Sequence, residues 1–205
     1  MENNPRRVSR REALKTFARV AAAPAVGIAA GEVTVRTLQQ VIPVFEKKTH
    51  LKTGNAYTND LEKEACGPTP SEKCIKKFYA RPEEKNTLVV QTPLFEETMC
   101  RAMPSMIVSS LEQQDNPDIQ PLKETLLGTE VTRVGLSRRE LIGGAISSVV
   151  FGLLHNISSE NNETVIHVKT VPFAQTVVGG VHWYLQRKLG IVAPIISHAW
   201  INNKN

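Results

Sequence analysis

Long uninterrupted apolar runs are scarce in this 205-residue chain. Hydrophobic residues make up 41% and mean hydropathy is −0.21, values of an ordinary soluble protein and not of a typical polytopic membrane protein. Aromatic content is only 5%, and no RNA-binding aromatic pattern accompanies the basic residues, so nucleic acid is not an expected partner. The three cysteines (Cys66, Cys74, Cys100) form no CxxC pair and there is no HExxH string, so no metal ligand set or cofactor is expected from motif spacing. Cys66 and Cys74 flank a turn containing Pro68 and Pro70. Either they close a small disulfide loop, if that segment lies outside the cytoplasm, or they stay as two loop thiols. Strand-like alternation is rare, with its best case at 164–171. The length suits one domain with a real core.

What the average hides is segregation. Residues 46–86 and 112–140 hold most of the charges, whereas residues 141–159 contain no Asp, Glu, Lys or Arg. As a helix, that window would span about 28 Å, close to the roughly 30 Å of a bilayer core. Shorter windows of the same kind lie at 170–186 and 189–203. These features predict an all-α fold, a bundle of membrane-type helices with polar irregular insertions. A buried helix in a soluble bundle is the competing reading. The expected organisation is a basic N-terminus and first apolar helix at 1–45, a polar segment at 46–87 and a core at 88–205.

The net charge of +5 is partly local, because Arg6, Arg7, Arg10, Arg11, Lys15 and Arg19 crowd the start of the chain. A basic flank before an apolar segment fits the positive-inside rule and predicts a cytoplasmic N-terminus at a cell membrane. The string Ser9-Arg10-Arg11-Glu12 is similar to a twin-arginine export signal. It also fits a capping box, in which Ser and Glu each satisfy a free backbone N–H at a helix start. The same four residue types recur at Ser137–Glu140, immediately before the apolar run, where a signal peptide is impossible.

Three stretches carry candidate chemistry. In Phe95-Glu96-Glu97-Thr98-Met99-Cys100-Arg101, Thr92 and Pro93 suit a helix start. Glu97 and Arg101 share a face at i and i+4, leaving Glu96 rotated away and free to act on water. In Phe151-Gly152-Leu153-Leu154-His155, the histidine sits in the most apolar part of the chain, where it needs a hydrogen-bond partner or a function. In His198-Ala199-Trp200-Ile201-Asn202, the first and last residues lie four apart and can donate towards one point, as an oxyanion stabiliser must.

In this order, Glu-Glu-x-x-x-Arg, Phe-x-x-x-His in an apolar helix and His-x-x-x-Asn near the C-terminus resemble the three-motif signature of the CPBP (CAAX protease and bacteriocin-processing) family. The stretches 173–180, 184–190 and 191–198 resemble that family's glycine-bearing helix, short basic turn and final helix. The likeness covers roughly 88–205. It implies an intramembrane glutamate endopeptidase, an all-helical fold and a peptide or protein substrate at the lipid bilayer. It further implies Glu96 as general base, His155 as holder of the attacking water, and His198 and Asn202 as oxyanion stabilisers. Glu97 and Arg101 would orient the first motif helix, and Phe151 would pack beside His155. Where the family often has glycine after the motif arginine, this chain has Ala102 and then Pro104. Proline there predicts a kink or helix end just past Arg101, and the low apolar content predicts four spans or fewer. A catalytically inactive scaffold or immunity protein is one alternative function. A hydrolase with Glu96, His155 and His198 around a divalent metal is another.

Overall fold

The segregated sequence folds into helices joined by short ribbons, an all-α architecture. The computed structural model describes residues 10–53, 65–67, 71–115, 124–125, 128–129, 137–160, 163–166 and 170–204. The helices are α1 (Arg10–Thr49), α2 (Glu72–Tyr79), α3 (Pro82–Asn86), α4 (Thr92–Glu97), α5 (Met103–Asp115), α6 (Arg138–Leu154), α7 (Phe173–Leu189) and α8 (Val192–Lys204). Short strands pair between them. β1 (Lys52–Thr53) runs parallel to β6 (Thr170–Val171), β2 (Glu124–Thr125) antiparallel to β3 (Gly128–Thr129), and β4 (Ile157–Glu160) antiparallel to β5 (Glu163–Ile166).

α3, α4 and α5 are parts of one rod, joined by π-turns at Thr87–Gln91 and Thr98–Ala102 with right-handed helical backbone at the junctions. Each π-turn shortly precedes a proline, Pro93 or Pro104. A proline inside an α-helix lacks an N–H and collides with the carbonyl four residues back. Widening the turn by one residue relieves that collision. Accordingly, Thr92 N–H donates to Thr87 O and Met103 N–H to Thr98 O, each five residues back. The expectation that Thr92 opens a helix is therefore corrected, and so is the expectation that Pro104 ends one. The helix carrying Glu96 runs through both positions.

The Ser137–Glu140 capping box forms: Ser137 accepts the Glu140 N–H and the Glu140 carboxylate accepts the Ser137 N–H. The equivalent role for Ser9 lies outside the described residues. Glu140 has a second use, because it receives the Arg187 guanidinium through Nε at 3.0 Å and through Nη2. Arg187 is fully buried and also donates from Nη1 to Ser105 at 2.7 Å and Ser109 at 3.2 Å. One charged pair thus locks the start of α6 to α5 and to the end of α7. α7 stops at Gly190, whose φ of 87° lies in the left-handed region that glycine enters without strain.

α8 packs against both α1 and α7, and α7 packs against α6. Ala23, Gly27 and Gly31 form a seam of small residues along α1 that admits α8. A Cβ on Gly27 would lie 2.6 Å from the Ala193 carbonyl oxygen, and one on Gly31 3.0 Å from that of Ser197. Small-xxx-small spacing of this kind is how helices approach closely when lipid surrounds them. At the far end of α1, Phe45 stacks on Phe173 with centroids 4.7 Å apart.

The expected membrane-spanning run is shorter than the sequence predicts. Instead of 141–159, the helix closes at Leu154 because His155 and Asn156 turn into the β4–β5 hairpin. Its 17 residues rise only about 25 Å. α7 has 17 residues and α8 has 13, while the 40 residues of α1 carry charges along their length. Among the described residues no helix is long and apolar enough to cross a membrane.

Two measurements follow. Gly27→Leu forces α1 off α8 and should destabilise the protein by about 1–3 kcal/mol, the usual cost of overpacking, read as a lower unfolding midpoint. Cys66 and Cys74 are joined in a disulfide with Cα atoms 5.9 Å apart, leaving Cys100 as the free thiol. Alkylation of unreduced, unfolded chain should therefore modify one cysteine, and three after reduction.

Candidate active site

Glu96 and Glu97 sit at the end of α4 and point in different directions, as the ~100° step of a helix requires. Glu97 is completely buried. Its Oε1 accepts hydrogen bonds from Nδ1 of His182 on α7 and Nδ1 of His198 on α8, each 2.8 Å long. With Nδ1 committed as donor, the neutral His182 ring presents Nε2 as an acceptor, and the Ser197 hydroxyl donates to it at 3.1 Å. Four buried side chains from three helices thus form one chain: Ser197 to His182, His182 to Glu97, and Glu97 back to His198.

Arg101 supplies the compensating charge. It is fully buried one turn beyond Glu97, with Nε 3.6 Å from Glu97 Oε2. Its Nη1 donates to Ser147 at 3.0 Å and to the Cys100 carbonyl at 2.9 Å. That carbonyl also accepts the Ser147 hydroxyl. The guanidinium lies 4.4 Å above the Phe151 ring, a cation–π contact. Phe151 presents its ring edgewise to His155 and His198, with centroids 4.6 and 6.0 Å away.

Glu96 belongs to a more open layer. Its Oε2 lies 3.9 Å from His155 Nε2 and 3.6 Å from His198 Nε2. The side chains of Glu96 and His155 are 26% and 20% exposed, against 7% for His198. His155 Nδ1 lies 2.8 Å from the Phe151 carbonyl. A carbonyl can only accept, so that nitrogen carries the proton and Nε2 of the neutral ring turns its lone pair towards Glu96. Glu96 Oε2 is buried and has no direct hydrogen-bond partner. Both imidazole contacts are too long for hydrogen bonds and short enough for one water molecule to reach both groups.

The family model described as type II CAAX prenyl endopeptidase Rce1-like matches residues 87–203, more than half of the chain and all of the residues just described. The chain belongs to this Rce1-like family. That places it among CAAX-type membrane endopeptidases. No curated protein and no solved structure matches the chain.

The three sequence motifs come together at Glu96, His155 and His198, with Phe151 beside His155. Glu97 and Arg101 pair across one turn, but Glu97 does more than orient its own helix: it holds two histidines. Asn202 commits one amide hydrogen to the backbone, its Nδ2 donating to the Leu88 carbonyl at 2.9 Å. In the first π-turn that carbonyl would pair with residue 93, a proline, so the amide caps an acceptor the backbone cannot satisfy. His182 was not among the residues singled out from sequence. Its signal was present, since it lies in the uncharged window 170–186 just as His155 lies in 141–159.

Glu97, His182 and His198 also offer ligand atoms within 4.8 Å of one another, the group best placed to hold a metal among the described residues. It differs from the Glu96, His155 and His198 set expected from sequence. Its two 2.8 Å contacts are proton-bridged, and Arg101 already faces the carboxylate.

Removing that guanidinium leaves Glu97 buried and uncompensated. Arg101→Met should cost about 3–5 kcal/mol, measured as denaturant unfolding in detergent. A loss below ~1 kcal/mol would show that the charge is balanced elsewhere.

Proposed function

We propose that this protein is an active membrane endopeptidase in which Glu96 activates the attacking water. The observation that carries this reading is the buried, unpartnered Glu96 Oε2 facing the Nε2 atoms of His155 and His198. A water there donates one hydrogen to the carboxylate and the other to the His155 lone pair, which aims its oxygen at a scissile carbonyl. As the oxygen attacks, Glu96 takes the proton and the carbonyl becomes an oxyanion.

His198, with a proton taken from solvent on Nε2, keeps Nδ1–H on Glu97 and gives Nε2–H to that oxyanion. Asn202 spends one amide hydrogen on Leu88, and we assign its second to the same oxyanion. Collapse of the tetrahedral intermediate breaks the C–N bond. The proton held by Glu96 passes to the leaving amine, which restores the carboxylate.

The surroundings support a lipid setting. Buried polar and charged residues outnumber buried apolar ones among the described residues, while Leu141, Ile146, Val149 and Leu153 of α6 and Phe95, Met99, Met103 and Met106 of the rod are exposed. An apolar exterior around a charged interior suits hydrocarbon better than water. The short helices then sit in the bilayer with local thinning. The N-terminus faces the cytoplasm on the strength of its basic flank. The disulfide agrees, since it belongs to the segment that follows α1 and disulfides persist on the oxidising side. The substrate is a peptide bond presented at the membrane surface.

The inactive-scaffold reading gains no specific support, because Pro104 is absorbed by a π-turn and does not misdirect Glu96. The test is a quenched-fluorescent peptide ending in a CAAX sequence, with and without a prenyl group, supplied to detergent-solubilised protein. Glu96→Gln should lower kcat by at least ~10²-fold while leaving the unfolding midpoint unchanged. Hydrolysis by wild type should survive a strong chelator. Retained activity in Glu96→Gln would refute the assignment, and chelator sensitivity would shift it to a metal.

A further inference from the structure

The inner histidine, His182, is held at both ring nitrogens, and neither of these bonds goes to Glu96. Its Nδ1–H donates to Glu97 Oε1 at 2.8 Å and its Nε2 accepts from Ser197 at 3.1 Å. It is completely buried, as are Glu97, Arg101 and Ser197. A neutral leucine would fill similar space without polar partners, so packing alone does not account for an imidazole here. Burying its two polar atoms costs free energy unless both are hydrogen-bonded, and both are.

We propose that His182, with Ser197 behind it, is a positioning residue for the peptide hydrolysis, acting through Glu97 on His198. This inference rests on the function proposed above. The geometry explains why such a residue is needed. Glu97 Oε1 receives His198 Nδ1–H, and the direction of that bond fixes the plane of the His198 ring and therefore where Nε2 points. Arg101 restrains the carboxylate only loosely, because its Nε is 3.6 Å from the opposite oxygen and Glu97 Oε2 has no hydrogen-bond partner.

The short bond from His182 supplies the missing restraint. It gives Oε1 a second donor at the same 2.8 Å as His198, and two bonds to one oxygen restrain the rotation of the carboxylate that one bond would leave free. Ser197 does the same for the His182 ring. It adjoins His198 in α8, so both histidines are referred to the same helical turn. A further consequence concerns proton placement. With Ser197 donating to Nε2, His182 holds its one proton at Nδ1, where Glu97 needs a donor. Loss of Ser197 frees the ring to take the other tautomer, and that would set a lone pair against the carboxylate.

The experiment compares His182→Leu, His182→Asn, Ser197→Ala and Glu96→Gln on the prenylated CAAX peptide, with kcat and KM measured separately and folding followed by elution volume and unfolding midpoint. His182→Leu should lower kcat about 10–100-fold, the scale seen when outer partners of an active-site histidine are removed, with KM within about twofold. Asparagine places an N–H near the Nδ1 position, so His182→Asn should recover part of that loss. Ser197→Ala should lower kcat by a smaller factor, again without moving KM.

Folded His182→Leu with wild-type kcat would overturn the proposal. So would an Asn variant as impaired as the Leu variant, since that pattern marks a packing role. Should His182→Leu fail to fold, Ser197→Ala decides: reduced kcat at constant KM supports the proposal, and unchanged kcat overturns it. Activity in Glu96→Gln would instead refute the glutamate mechanism, which separates the two failures.

Discussion

Everything in the site hangs on one oxygen atom. Glu97 Oε1 accepts from His182 and His198 at equal distance, and it does so in a place without solvent. The rod bearing the two glutamates, α7 bearing His182 and α8 bearing His198 therefore have to converge at that point. A buried carboxylate is costly unless every charge and lone pair around it is answered. Here Arg101 answers the charge and two imidazoles answer the lone pairs of one oxygen. The cost of burying this group obliges three helices to keep a single arrangement, and Glu96, the preceding residue in the chain, inherits its position from that arrangement.

A second charged pair works in the same way further along. Glu140 and Arg187, with Ser105 and Ser109, join the starts and ends of α5, α6 and α7. The interior is held by polar specificity, while α6 and the rod leave apolar side chains such as Leu141, Ile146, Phe95 and Met103 exposed. Close packing along Ala23, Gly27 and Gly31 adds direct helix contact to these buried bonds.

The three motifs were legible because each combines a periodicity with a residue type that is expensive to bury. Glu97 and Arg101 at i and i+4 predicted a pair, and the capping box at Ser137 predicted the start of α6. Other features were hidden for physical reasons. His182 lacked a neighbour in its own helix to form a motif, and its partners are distant in sequence. Pro93 and Pro104 suggest helix boundaries by local rules. In a packed rod the backbone instead widens by one residue, a tertiary accommodation that no propensity encodes. The 141–159 window suggested a full span, but an absence of charge does not reveal that His155 and Asn156 turn the chain.

The bond between Asn202 and the Leu88 carbonyl has a broader meaning for how the protein matures. Residue 88 leaves the ribosome well before residue 202, 114 positions later, so its carbonyl, denied a backbone partner by Pro93, waits for α8 to receive this amide. The helix that carries the glutamates is thus completed by a side chain made long after it. A nascent chain lacking α8 would hold an incomplete site, without His198 and Asn202.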